Sequence, residues 1–259
     1  MTNILINNFR KKIQQEPVIG IFSKTTDPAF IECSGYAGFD FVIIDMEHGP
    51  ATLESVQNLI RAAQLTGILP LVRVKEDSRS LIKEVLDVGA RGILIPHINT
   101  VKDIQEISEV SRFAPEGMRG ICKYVRAANY SAVKKNKYFK EANKTIIVIQ
   151  LEGLEAIKNI DDIIEFGKFD VLFIGPYDLS QSLGVAGKID HPLVEEKVLE
   201  VIKKCKTKNI LVGSFADTVG DAEKWIKMGI RFMSISVDVG IFYQSCKNIV
   251  EHFSHYKEK

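Results

Sequence analysis

Eight short apolar runs recur along the chain. Each run is four or five residues long and almost continuously apolar. Strands that are covered on both faces show such runs, whereas antiparallel strands with one wet face alternate polar and apolar residues. We therefore predict eight buried parallel strands, at residues 18–22, 41–44, 69–72, 92–95, 145–149, 171–174, 210–213 and 232–235.

The segments between the runs show the spacing and the boundary residues of helices. Thr52 and Thr100 precede stretches with apolar residues every three or four positions, and Gly89 stands where such a stretch ends. Another helix start is predicted at residues 77–80. Strand–helix alternation without a linker predicts an α/β fold, a single (β/α)8 TIM barrel domain over residues 1–259. An open doubly wound sheet is the alternative, but no glycine-rich dinucleotide fingerprint follows the first run.

The last segment, at about residues 239–255, has a strongly amphipathic pattern. Bulky apolar residues recur there at helical spacing: Val239, Phe242, Tyr243, Cys246, Ile249, Val250 and Phe253. This pattern predicts a C-terminal helix. Its apolar face packs either on its own barrel or against a neighbouring subunit.

Charge and composition narrow the class of partner. The 34 basic and 33 acidic residues nearly cancel, which argues against a nucleic-acid or anionic-membrane partner. No apolar run approaches the ~18 residues of a membrane span, and the N-terminus lacks a signal-peptide pattern. The four scattered cysteines form no C-x-x-C pair, which is typical of thiols in a reducing compartment. We therefore expect a cytoplasmic protein that acts on a small molecule.

Polar residues follow five of the apolar runs. Catalytic side chains of (β/α)8 barrels gather at the carboxyl ends of the strands. Burying many charges together there is costly unless they bind one another or a ligand. The sequence therefore predicts an active site built from Asp45, Glu47, His48, Arg73, His97, Gln150, Glu152, Tyr177 and Asp178.

Glu152 and Asp178 follow neighbouring runs, so their carboxylates are expected to converge. Two convergent carboxylates suit a hard divalent cation whose other positions go to water and substrate. They also suit a general acid–base pair that shares one proton. A third interpretation is structural, since Asp178 is placed to cap the helix that follows it.

Arg73 and His48 are the other candidates for catalysis. A guanidinium after an apolar strand needs an anionic partner, either a substrate carboxylate or enolate oxygen, or an ion pair with Asp45 or Glu47. His48 is the best general-base candidate, because it lies on a strand-end loop beside acids that could orient it. His97 is interpreted as structural.

These segments together resemble the HpcH/HpaI aldolase family. The resemblance runs from about residue 17 to about residue 242. It rests on ordered motifs: IDMEHGP at 44–50, VRV at 72–74, LDVGA at 86–90, PEGMRG at 115–120, QLE at 150–152 and FIGPYDLS at 173–180.

The resemblance implies a class II, metal-dependent pyruvate aldolase of 4-hydroxy-2-oxo acids or 2-keto-3-deoxy acids. Glu152 and Asp178 would then bind Mg²⁺, Mn²⁺ or Co²⁺, and Gln150 would help to hold the 2-oxo acid. Backbone N–H groups around Gly175 and Tyr177 would bind the carboxylate of the substrate. The family also implies a homohexamer in which C-terminal helices are exchanged between subunits.

The same resemblance implies the catalytic roles. Arg73 would stabilise the pyruvate enolate, and His48 would transfer protons with Asp87 as its orienting partner. Tyr177 departs from the smaller residue that many members carry, which leaves the aldehyde open. Residues 122–144 are expected to shape the acceptor pocket.

Three other functions remain open from the sequence. A decarboxylase of oxaloacetate-like acids would use the same enolate chemistry. A Schiff-base aldolase would need a lysine near the mouth, for which Lys75 is the nearest candidate. A non-catalytic binding protein would bind the metal without turnover.

Overall fold

The chain closes into an eight-stranded parallel barrel. The computed structural model describes residues 2–75 and 79–256, so residues 77 and 78 of the helix start predicted at 77–80 lie outside the described residues. Strands pair in chain order, and β1 pairs with β8, which closes the barrel. The strands are β1 (Val18–Ser23), β2 (Phe41–Asp45), β3 (Leu69–Arg73), β4 (Gly92–Ile95), β5 (Ile146–Leu151), β6 (Val171–Ile174), β7 (Leu211–Ala216) and β8 (Phe232–Val237). The predicted fold is confirmed.

Helices follow the strands and cover the outside of the barrel. Thr52 and Thr100 cap two of them, each accepting a hydrogen bond from the backbone N–H three residues on, and Gly89 takes a φ of +105° after a third. The helices are α1 (Thr2–Gln15), α2 (Pro28–Tyr36), α3 (Leu53–Thr66), α4 (Arg79–Asp87), α5 (Val101–Ser111), α6 (Lys135–Ala142), α7 (Leu154–Lys158), α8 (Ile160–Phe166), α9 (Pro176–Ser182), α10 (Pro192–Thr207), α11 (Val219–Met228) and α12 (Asp238–His252). None of them is long and apolar enough to cross a membrane, as far as the described residues go.

Helix α1 covers the amino end of the barrel. Its Phe9 ring meets the rings of Phe41 and Phe232 edge-on, at centroid distances of 6.1 and 6.2 Å. Phe41 and Phe232 begin β2 and β8 and stack on each other at 3.9 Å. Aromatic side chains therefore close the interior of the barrel at this end, and the catalytic end of such a barrel is the carboxyl end of its strands.

Helix α12 leaves its apolar face uncovered. The side chains of Phe242, Tyr243, Ile249 and Val250 are each more than half exposed. Of the two packing alternatives, burial of this face against its own barrel is therefore wrong. Large apolar patches on the surface of a protein commonly mark an interface.

Candidate active site

A cavity of about 480 Å³ opens at the carboxyl end of the barrel. Six of the residues predicted for the site line it: His48, Arg73, Gln150, Gly175, Tyr177 and Asp178. They come from the ends of four different strands, β2, β3, β5 and β6, so only barrel closure brings them together. The other lining residues are Phe22, Lys24, Phe173, Pro176, Phe215, Asp217 and Val237.

Glu152 lies below the cavity surface and is only 6% exposed. Its Oε2 accepts a hydrogen bond from the backbone N–H of His97 at 3.1 Å and lies 2.9 Å from His97 Nδ1. Its Oε1 accepts a hydrogen bond from the Gln150 side-chain amide. Burial, and to a lesser extent the nearby charge of Asp178, raise the pKa of Glu152 to about 7, although His97 acts against that rise.

The residues present fit a divalent cation. Glu152 and Asp178 are close enough to interact electrostatically, and Asp178 faces the cavity. A cation between them would offset the cost of burying two like charges. Within residues 2–75 and 79–256, no group of three or more His, Cys, Asp and Glu side chains is arranged to hold a metal ion. Two carboxylates would thus hold the cation, and water or substrate oxygens would complete its shell.

Gly175 gives Gln150 and Glu152 the space they need. A Cβ atom at Gly175 would lie 3.0 Å from Glu152 Cγ, 3.1 Å from Glu152 Oε1 and 3.1 Å from Gln150 Nε2. Real Cβ contacts are rarely so short, so an added methyl group would push both side chains from their positions.

Replacing Gly175 with Ala is therefore expected to lower turnover by about 10- to 100-fold, because misplacing catalytic groups by fractions of an ångström is costly. The matched control is Gly153→Ala, where the nearest atom to the new Cβ is Asn99 Oδ1 at 4.0 Å. Steady-state kinetics and thermal melting of both variants check the prediction. Equal activity of the two variants would contradict it.

Arg73 is held by carboxylates of the preceding strand end. Its Nε and Nη2 donate to the two oxygens of Asp45 at 2.9 and 2.8 Å, and its Nη1 lies 3.1 Å from Glu47 Oε2. The guanidinium also lies over the Phe22 ring, 4.8 Å from the centroid. The ion-pair interpretation is therefore correct, and it leaves the remaining N–H groups of a fixed cation beside the cavity.

Asp45 is fully buried behind Arg73. Burial alone would raise its pKa, but the hydrogen bonds and charge of Arg73 outweigh this and lower the pKa. Asp45 Oδ1 also accepts the backbone N–H groups of Glu47 and His48 at 3.1 and 3.2 Å. Asp45 therefore fixes both the guanidinium and the loop that carries His48.

Glu47 links the two histidines of the site. Its Oε2 lies 3.7 Å from His48 Nε2, and its Oε1 lies 3.5 Å from His97 Nε2. His48 is well exposed, so it can exchange protons with water. His97, interpreted from the sequence as structural, contacts Glu152 through both its backbone and its ring. It supports the carboxylate that is the first candidate for metal binding.

Asp87 does not orient His48 within one chain, so that expectation is wrong for the single chain. Asp87 ends α4, which leads into β4, and so it lies at the amino end of the strands, whereas His48 follows β2 at the carboxyl end. Its Oδ1 accepts a hydrogen bond from Arg119 at 2.6 Å. The residue that lies beside His48 is Glu47.

The backbone corrects one of the two expectations for carboxylate binding. The N–H of Gly175 donates to the carbonyl oxygen of Leu151 at 3.1 Å, so Gly175 does not offer this donor to a substrate. The N–H of Tyr177 belongs to the first turn of α9, where such groups have no partner inside the helix. Carboxylate binding by Tyr177 stays a prediction.

The segment 122–144 and Lys75 do not line the cavity. Residues 122–144 connect α5 to β5 and therefore lie toward the amino end of the barrel. Their aromatic residues pack against Phe113 instead, at ring distances of 5.4 Å for Tyr138 and 4.6 Å for Phe139. The acceptor pocket of a single chain is shaped by other residues.

The lining residues that were not predicted for the site include Phe22, Lys24, Phe215 and Asp217. Lys24 follows β1 directly, just as polar residues follow the other strands, so its position after a strand was a usable signal. Asp217 accepts a hydrogen bond from the Tyr177 hydroxyl. Burial, together with Asp217, raises the pKa of Tyr177 to about 12, so this hydroxyl remains a proton donor.

Comparison with known proteins gives a consistent result. A 2-keto-3-deoxy-L-rhamnonate aldolase of Klebsiella pneumoniae is 34% identical over 95% of this chain and 92% of its own. A 5-keto-4-deoxy-D-glucarate aldolase of Escherichia coli is 29% identical over 97% of this chain and 98% of its own.

A solved structure also matches over nearly its whole length. It is an HpcH/HpaI aldolase/citrate lyase family protein from Burkholderia cenocepacia, 30% identical, with a TM-score of 0.90 over 98% of this chain and 100% of that chain. The family model for HpcH/HpaI aldolase/citrate lyase matches residues 18–245. That match covers the whole barrel and every residue that lines the cavity, and so the chain belongs to the HpcH/HpaI aldolase/citrate lyase family.

Proposed function

We propose that this carbon–carbon lyase cleaves a 4-hydroxy-2-oxo acid of the 2-keto-3-deoxy type to pyruvate and an aldehyde, and catalyses the reverse addition. One observation carries the proposal. Asp178 and the fixed guanidinium of Arg73 line one cavity, and the buried carboxylate of Glu152 is close enough to Asp178 to interact with it, in a chain whose relatives are aldolases. Such a site combines cation binding with a positive charge for a developing oxyanion.

The pyruvate half of the substrate is assigned to the β5–β6 side of the cavity. Glu152 and Asp178 would hold Mg²⁺, Mn²⁺ or Co²⁺ there, and the cation supplies Lewis acidity beside the carboxylate and 2-oxo oxygens. Gln150 would help to hold the 2-oxo acid, since its side chain lines the cavity and lies against Glu152. Tyr177 would offer its backbone N–H to the substrate carboxylate.

Arg73 is assigned to the oxygen on which negative charge develops when the carbon–carbon bond breaks. Its guanidinium is fixed by Asp45 before the substrate binds, so no reorganisation is needed during the reaction. His48 is assigned to proton transfer at the 4-hydroxyl group. In cleavage it accepts that proton directly or through water. In the reverse reaction, the addition of pyruvate to an aldehyde, it returns the proton.

The assembly proposed is a homohexamer in the cytoplasm. The exposed apolar face of α12 supports association of copies through this helix. The balanced charge and scattered, free cysteines support a cytoplasmic location.

The curated relatives leave one property of the substrate open. Rhamnonate is a monocarboxylic sugar acid, whereas glucarate is a dicarboxylic one. The aldehyde half of the substrate is therefore either neutral or negatively charged.

Pyruvate release from a panel of 4-hydroxy-2-oxo acids tests the proposal. We expect release in the presence of Mn²⁺, loss of release with excess EDTA, and recovery when Mn²⁺ is added back. Oxaloacetate belongs in the panel because a decarboxylase would act on it alone. Release that survives EDTA would contradict the metal assignment and would direct attention to a lysine, for which borohydride trapping with pyruvate is the check.

A further inference from the structure

Lys24 occupies the wall of the cavity that faces the two carboxylates. It follows β1 directly, as Glu152 follows β5, and these strands lie four places apart in a closed ring of eight. The barrel therefore puts the ammonium group across the mouth from the carboxylates. A substrate whose pyruvate half binds at Glu152 and Asp178 extends its other half toward Lys24.

The backbone of Lys24 is held by a buried carboxylate. Asp238, 5% exposed, accepts the N–H of Lys24 at 3.0 and 3.1 Å, the N–H of Thr25 at 3.0 Å and the hydroxyl of Ser23 at 2.7 Å. These bonds involve the backbone of Lys24 and not its side chain. The hydrogen bonds therefore fix the backbone from which the Lys24 side chain extends, and the side chain itself lines the cavity.

Among the residues that the structure describes, the Lys24 ammonium group forms only a long ion pair, with an acid that it shares with Arg73. Its nearest acid is Asp45, whose Oδ2 lies 3.7 Å from Nζ, beyond hydrogen-bond distance. Asp45 Oδ2 already accepts Arg73 Nη2 at 2.8 Å. Lys24 thus keeps its three donors for a ligand that enters the cavity.

Between the carboxylates and Lys24 the cavity has apolar walls. Phe22, Phe215 and Val237 line it on the β7–β8–β1 side, and the Phe22 and Phe215 rings lie 5.9 Å apart. Apolar side chains reduce the screening of a charge pair by water on this side of the cavity. It also suits the carbon chain of an aldehyde that ends in a charged group.

We infer that Lys24 is a specificity-determining residue that binds a terminal carboxylate on the aldehyde half of the substrate. The inference deepens the proposed function, on which it rests, and selects the dicarboxylic class of substrate. A carboxylate is favoured over a phosphate because a dianion is usually bound by several N–H donors. Here Lys24 is the cation that remains for the aldehyde half, because Arg73 is assigned to the developing enolate oxygen, and Asp217 adds a negative charge to the same cavity.

The test compares two acceptors in pyruvate addition, 4-oxobutanoate and butanal, which share a chain length and differ in the terminal carboxylate. The wild-type enzyme is expected to prefer 4-oxobutanoate. Lys24→Met should lower kcat/KM for 4-oxobutanoate by about 10- to 100-fold, mainly through KM, which is the range for one charge-assisted hydrogen bond. For butanal the change should stay within about twofold. Lys24→Arg should retain the preference.

A half-reaction separates this inference from the proposed function. Exchange of the pyruvate methyl protons with D₂O, followed by proton NMR, needs the enolate but no acceptor. Lys24→Met is expected to exchange at the wild-type rate. If the wild-type enzyme neither exchanges these protons nor adds pyruvate to either aldehyde, the proposed function fails.

If exchange proceeds but Lys24→Met leaves the discrimination between the two aldehydes unchanged, the inference alone is overturned. A further arm uses glyceraldehyde and glyceraldehyde 3-phosphate. If Lys24→Met abolishes a preference for glyceraldehyde 3-phosphate over glyceraldehyde but leaves the preference for 4-oxobutanoate over butanal unchanged, the assignment of a carboxylate is overturned.

Discussion

Glu152→Gln is expected to reduce Mn²⁺-dependent pyruvate release by more than about 100-fold while the barrel stays folded. Loss of residues that merely support metal ligands typically costs 10- to 100-fold, so loss of a ligand should exceed that range. The glutamine side chain is nearly isosteric with glutamate, and the substitution removes a buried carboxylate whose pKa is raised. Folding should therefore tolerate the change.

Glu155→Gln is the matched control, since Glu155 is an exposed residue of α7 three positions on. Activity at several Mn²⁺ concentrations, calorimetry of Mn²⁺ binding and thermal melting are the measurements. Unchanged Mn²⁺ affinity in Glu152→Gln would remove Glu152 from the metal site. A melting temperature far below that of the control would point to a structural role instead.

Arg73→Met is expected to impair both stability and activity. Asp45 is fully buried, and its partner would be lost. Removing one member of a buried ion pair typically costs about 3–5 kcal/mol of the free energy of unfolding. Turnover should fall by about 100-fold or more, as when one oxyanion-stabilising group is removed.

The double variant Arg73→Met/Asp45→Asn separates the two effects. Neutralising Asp45 removes the uncompensated charge, so part of the lost free energy of unfolding should return. Activity should not return, because the guanidinium is still missing. Arg61→Met, at an exposed position on α3, serves as the control, and urea denaturation with steady-state kinetics gives both readings. Recovery of activity in the double variant would mean that Arg73 acts only by holding Asp45.

Much of the barrel could be predicted because parallel strands buried on both faces leave a simple trace in the sequence. Strand boundaries were less accurate where polar residues join a strand. The predicted run 145–149 is the strand Ile146–Leu151, because Gln150 pairs with Phe173 and Leu151 with Ile174 across to β6. Backbone pairing extends a strand beyond its apolar residues, and hydrophobicity does not report it.

The residues of the candidate site also differ in whether they could be predicted from the sequence. Arg73, Glu152 and Asp178 could be predicted because a strand end in a barrel has one destination, the mouth. The Asp87–His48 pair came from resemblance alone, and within one chain helix α4 places Asp87 at the opposite end of the barrel from His48. The ring of His97 reaches Glu152 from a backbone with φ of +54°, a local conformation that the sequence did not indicate.

Asp238 couples the C-terminal helix α12 to the side of the cavity that carries Lys24. It is the first residue of α12, and its carboxylate holds the backbone that carries Lys24. In the proposed assembly, where another copy covers α12, a shift at the start of this helix would move the Lys24 backbone with it. By thermodynamic reciprocity, a carboxylate bound at Lys24 would then change the affinity between subunits by the same factor by which assembly changes the affinity for that carboxylate. The proposed substrate choice and the proposed quaternary structure would thus be linked through a single buried side chain.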